Sequence, residues 1–205
     1  MKKQHVLAVL FLSGLWGLSE AVLGGWMYRA GMRDVPAVVL AVMAMGVLAV
    51  TKVYVPAVGS AIAVAALAML YKFLNQPFFA CHLLAILFLG AGFEALHAVT
   101  RGRFKPLIGL GGTYLAFGLF AVTITFVFRY AWWADAGWPK VLRYVGLTGS
   151  IAAACSAAVV PLADRLARQL ARRPEGKPAM PAWAVLSAAT AAAWAFAVVR
   201  VIWVG

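Results

Sequence analysis

Residues 5–27 read HVLAVLFLSGLWGLSEAVLGGWM, and the reading of this stretch decides the fold. It is apolar throughout except for one acid, Glu20. At about 1.5 Å per residue, a helix of this length crosses a hydrocarbon core of about 30 Å. Ser13, Gly17, Ala21 and Gly25 recur at every fourth position. On a helix they form one stripe of small side chains, along which a second helix can approach closely. Trp16 lies on the same helix as Glu20. A carboxylate inside lipid is costly and is usually kept for a partner or a task.

The whole chain repeats this pattern. It has 205 residues, 65% hydrophobic and 12% charged, far from the near-equal apolar content and quarter charged content of soluble domains. The expected fold is an all-α polytopic membrane bundle of about seven transmembrane helices, at residues 5–27, 36–51, 57–73, 80–99, 107–128, 142–164 and 181–203. The first run lacks a small-residue cleavage site before a polar domain, so it is read as a retained span and not as a cleaved signal. The second is short, beginning at Pro36 and ending before Thr51 and Lys52.

The net charge is +12, but the basic residues sit in short loops between the spans. That is an orientation signal, not a nucleic-acid footprint. With the N-terminus inside, the densest basic stretches, TRGRFKP and RLARQLARRPEGK, both fall in the cytoplasm, so the expected topology is N-in at the inner membrane. The basic helix after Asp164 is expected to run on from the sixth span, with Pro161 as a kink. This divides the chain into a six-helix bundle (1–165), a basic linker (166–180) and a C-terminal transmembrane helix (181–205).

Candidate chemistry is sparse. Glu20 is expected either to pair with Arg29, Arg33 or Lys72, or to contact a ligand, proton or cation in an outward-facing cavity. Lys72, Asn75 and Gln76 crowd an outer loop and can supply hydrogen bonds to a polar ligand head. Cys81 and His82 open span four, where a thiol and an imidazole suit a soft or borderline metal, provided the turn is not yet helical. Glu94 and His97 stand at a spacing of three on one helical face, a metal-ligand spacing in di-iron bundles; pairing of Glu94 with His97 and the basic inner loop is the simpler expectation. The loop YAWWADAGWPK carries Trp132, Trp133 and Trp138, either as an interfacial belt or as a lid over a ligand. Tyr114, Thr113 and Thr148 are expected to satisfy neighbouring groups. Cys81 and Cys155 form no CxxC. There is no HExxH, no Ser/His/Asp arrangement and no phosphate-cradling glycine loop, so no enzyme activity is expected and no cofactor is named.

The order of features resembles the membrane-embedded substrate-binding (S) components of energy-coupling-factor vitamin transporters. The resemblance covers residues 1–165. It rests on VPAVGSAIAVAALAMLYKFL and LGAGFEALHAVTRGRFKPLIGLGGTYLAFG, in which Pro56, Gly59, Ser60, Gly90 and Glu94 match the family pattern. It implies six helices and a vitamin or metal-containing cofactor bound near the outer surface. It also implies docking of a transmembrane coupling subunit with ATPases through Ser13, Gly17, Ala21 and Gly25. Trp16, Glu20, Lys72, Asn75, Gln76, Cys81, His82 and Trp133 would line the pocket, and a family subset binds cobalamin through a cysteine in the region of Cys81. The seventh span departs from the six of the family. Two other readings stand beside this one: a metal- or haem-binding redox subunit or enzyme using Cys81, Glu94 and His97, and a ligand-free structural subunit.

Overall fold

In the computed structural model, the described residues are 3–32, 35–74, 81–171, 190–196 and 199. Residues 3–171 of these include eight α-helices: α1 (Lys3–Arg29), α2 (Val35–Tyr54), α3 (Ser60–Met69), α4 (Cys81–Val99), α5 (Lys105–Val122), the short α6 (Ala131–Ala134), α7 (Gly137–Arg143) and α8 (Ser150–Ala171). A 3₁₀ turn, Leu70–Leu74, extends α3. Wider π-helical turns extend α5 over Thr123–Val127 and join α7 to α8 over Tyr144–Gly149. No strand occurs among the described residues.

Among the described residues, five stretches are long and apolar enough to cross a membrane: Lys3–Arg29, Val35–Tyr54, Cys81–Val99, Lys105–Val127 and Gly137–Ala171. Ser60–Phe73 is apolar but shorter. The expected span at 181–203 lies mostly outside the described residues, as does the linker from 172 onward; residues 190–196 are helical.

The helices pack as a closed ring in the order α1, α2, α8, α5, α4, α3 and back to α1. Charged contacts set their directions. The end of α2, the start of α3 and the end of α4 meet through Lys52 and Glu94. The start of α5 meets α8 through Lys105 and Asp164. This is the proximal end, where α1 begins. At the distal end, α1 meets the turn after α3 through Glu20 and Lys72.

Glycines set how closely the ring closes. A side chain at Gly92 of α4 would stand 2.5 Å from the Gly112 carbonyl oxygen of α5. One at Gly109 of α5 would strike the Ser156 backbone of α8, and one at Gly90 of α4 would press on Ala61 and Ala65 of α3. With no aqueous driving force between helices in lipid, such close backbone contact is a main source of association. Hydroxyls inside the helices bond locally: Thr51 and Thr113 donate to the carbonyls of Val47 and Gly109, and Tyr114 donates to Ser150 of α8.

Two boundaries differ from the sequence expectation, each for a physical reason. The second span runs on to Tyr54, because Lys52 is buried and paired instead of standing at a headgroup boundary. The third begins at Ser60, not at 57, because Gly59 turns through the left-handed region (φ +81°) before the helix starts. The sixth runs on as expected: α8 continues past Pro161 to Ala171, where Arg168 pairs with Asp164 one turn away.

Gly109→Val should lower stability in detergent by about 1–3 kcal/mol or more, read from the thermal unfolding midpoint, because the side chain must displace backbone. Gly118→Ala, with nothing within 4 Å of the added carbon, should be neutral or stabilise by up to about 1 kcal/mol. Equal effects at the two positions would contradict the tight α5–α8 contact.

Candidate functional site

Trp16 and Glu20 are one helical turn apart on α1, and both are buried. The indole Nε1 of Trp16 donates to Glu20 Oε1 at 3.2 Å. The other oxygen, Oε2, meets Lys72 Nζ at 2.7 Å. The 3₁₀ turn tightens the chain after α3 and carries Lys72 toward α1. Of the three basic partners considered for Glu20, the structure selects Lys72; Arg29 donates to the Gly25 carbonyl, and Arg33 lies outside the described residues. Cys81 and His82 open α4 at this same end, the thiol half-buried and the imidazole exposed. The distal end therefore gathers Trp16, Glu20, Lys72, Cys81 and His82 from three elements. Asn75 and Gln76 lie outside the described residues.

Trp133 belongs to a second distal cluster. Its ring meets Phe120 and Tyr144 edge-on, at 5.6 and 5.1 Å between centroids. Phe117 stacks on Tyr144 at 5.1 Å, and the Lys140 ammonium lies 4.9 Å over the Trp133 ring. Trp133 is thus packed into the α5–α8 wall rather than held beside Glu20 by any contact. Trp132 and Trp138 remain exposed.

The stripe of small residues on α1 has a different use from the expected docking face along half its length. Ser13 is fully buried, and any side chain at Gly17 would collide with the Tyr71 ring. Tyr71 in turn meets Trp194 at 4.9 Å, and the indole Nε1 of Trp194 donates to the Leu10 carbonyl at 3.4 Å. Ser13 and Gly17 are small because this chain packs on them itself. Ala21 and Gly25 stay partly open, and nothing stands within 4 Å of a carbon added at Gly25.

Glu94 and His97 each have other partners. Glu94 Oε1 accepts from Lys52 Nζ at 2.7 Å and from the Gly59 backbone N–H at 3.0 Å, while Oε2 accepts from the Ala61 N–H at 3.1 Å. The carboxylate caps the start of α3 from a neighbouring helix, and the positive end of the helix dipole favours it there. Lys52 also donates to the Ala57 carbonyl at 2.9 Å. His97 instead stacks on Phe93. Cys81 and His82 are both within α4 from its first turn, so their side chains diverge by about 100°. Among the described residues, no group of three or more His, Cys, Asp or Glu side chains comes together as a metal site. Both cysteines are free thiols.

Sequence reasoning missed Lys52 as a working residue. Its signal was the apolar VYV that follows it, which places the lysine inside the helix rather than at its rim. It also missed Asp164, whose spacing of four from Arg168 was legible. Comparison with known proteins gives no match to a family model, to a curated protein or to a solved structure.

Glu94→Ala should destabilise the protein by about 3–5 kcal/mol, because it strands the Lys52 charge and the N–H groups that open α3. The Lys52→Met/Glu94→Gln double variant should cost less than the two single changes added together, measured as a double-mutant cycle of detergent unfolding.

Proposed function

We propose that this chain is a multi-pass, N-in protein of the cell (inner) membrane that binds and takes up a small nutrient, a vitamin or metal-containing cofactor, in the manner of an S component. The observation that carries the reading is the buried Glu20–Lys72 pair with Trp16 against it, at the distal end of a six-helix ring. Opposite charges side by side in a low-dielectric setting give a polar ligand both an acceptor and a donor of full charge. Cys81 and His82 open α4 at the same end of the bundle and add further polar groups there. Trp16, fully buried and bonded to Glu20, forms a flat apolar wall behind the pair.

In this reading, uptake is driven by a separate transmembrane coupling subunit with its ATPases, which rests on the open part of the α1 stripe at Ala21 and Gly25. The redox alternative gains nothing from Glu94, whose oxygens are committed to Lys52 and to α3.

The cognate solute, added to purified protein at about 100 times its dissociation constant, should stabilise the fold by about 2.7 kcal/mol. For a chain of this size that raises the unfolding midpoint by roughly 5–10 °C. Glu20→Gln and Lys72→Met should each remove the rise. A panel of vitamins and metal-containing cofactors that gives no rise, together with no small molecule co-purifying by mass spectrometry, would end this reading.

A further inference from the structure

We propose that the proximal end of the bundle is a binding surface for anionic phospholipids, whose headgroup phosphates are held by Arg101, Arg103 and Arg165. All three arginines are exposed. Every described acid at this end already has a basic partner within the chain. Glu94 is held by Lys52, and Asp164 by Lys105 and Arg168. The three arginines form no ion pair among the described residues, so this end carries an uncompensated positive charge. Guanidinium groups match phosphate oxygens in a two-pronged geometry, and this favours phosphate over simple diffuse screening.

The apolar surface around them names the source of the phosphate. Leu147, Ile151, Cys155, Ala158, Leu162, Leu166 and Leu170 are exposed and recur at intervals of three or four along α8 and the turn before it. They make one continuous stripe down the outside of the ring. Its upper part faces the hydrocarbon in any membrane-spanning placement of this helix. The same stripe runs without a break to Leu166 and Leu170, beyond the level at which Asp164 meets the start of α5. Arg165 stands between Leu162 and Leu166 at that level. Val99 and Phe104, which flank Arg101 and Arg103, are 80% and 64% exposed. Basic groups interleaved with exposed apolar ones, at the foot of a lipid-facing stripe, suit a molecule that has a phosphate and acyl chains together. A soluble anion would use the arginines and leave the leucines bare.

Native mass spectrometry and thermal unfolding of the full chain in neutral detergent test this, with phosphatidylglycerol, phosphatidylcholine and inorganic phosphate as separate additions. Phosphatidylglycerol should be retained through detergent stripping and raise the midpoint, and phosphatidylcholine should do neither. The Arg101→Gln/Arg103→Gln/Arg165→Gln variant should retain about tenfold less phosphatidylglycerol. The corresponding lysine variant should recover part of it, because charge remains while the planar fork is lost. Each arginine changed singly gives the same reading if the triple variant does not fold. Equal retention of the two lipids, undiminished phosphatidylglycerol retention by the glutamine variants, or full stabilisation by inorganic phosphate alone would overturn the proposal. So would an acidic soluble protein that binds this end while phosphatidylglycerol does not. The measurement reads the proximal end only, so its failure leaves the distal ligand site untouched.

Discussion

The third helix is gripped at both ends by carboxylates from its neighbours, and the rest of the ring depends on that grip. α3 is too short to cross a bilayer even with the 3₁₀ turn that extends it. Its first N–H groups therefore open at a depth where an unpaired donor is expensive. Glu94 of α4 reaches across to satisfy two of them, and Lys52 of α2 neutralises the carboxylate. At the other end, Lys72 is tied to Glu20 of α1. Three helices are thus fastened to one short rod by two pairs. Removing either partner of a buried pair costs more than the pair itself contributes, so the arrangement tolerates little revision.

Between those two fastenings the packing is close and nearly without polar groups. Ala61, Ala65 and Ala68 of α3 are fully buried, and Gly90 of α4 and Gly17 of α1 make room for the helix and its terminal tyrosine. Chemistry is thereby confined to the ends of the bundle. The distal end holds a buried ion pair with a tryptophan bonded to it, and the proximal end holds two Lys–acid pairs that tie helices together. The same residue types serve a candidate ligand site at one end and helix capping at the other.

How much of this was legible in the sequence follows from the range of each interaction. Local pattern was readable. Apolar runs gave the helices, and an isolated Glu20 in a greasy helix announced a partner. For Glu20 the true partner, Lys72, stood among three basic candidates, but the partner of Glu94 was not readable, because it lies on another helix. Lys52 and Glu94 are 42 residues apart, and nothing in either neighbourhood points to the other. The stripe on α1 shows the same limit. Its spacing correctly announced a close neighbour, but spacing is silent on whether the neighbour is another protein or, as at Gly17, this chain's own Tyr71. Glu94 and His97 shared a face as expected, yet the carboxylate turned to the more strongly positive group, the ammonium together with the head of a helix.

The separation of Lys52 from Glu94 also bears on how the protein is made. The lysine leaves the ribosome 42 residues ahead of its counter-ion, which at about 5–20 residues per second is a delay of roughly 2–8 seconds. For that interval α2 carries an ammonium with nothing to neutralise it. Its terminal turn therefore has to wait in water or in the insertion machinery. Until the fourth helix has been made, the second lacks the partner on which the burial of Lys52 depends.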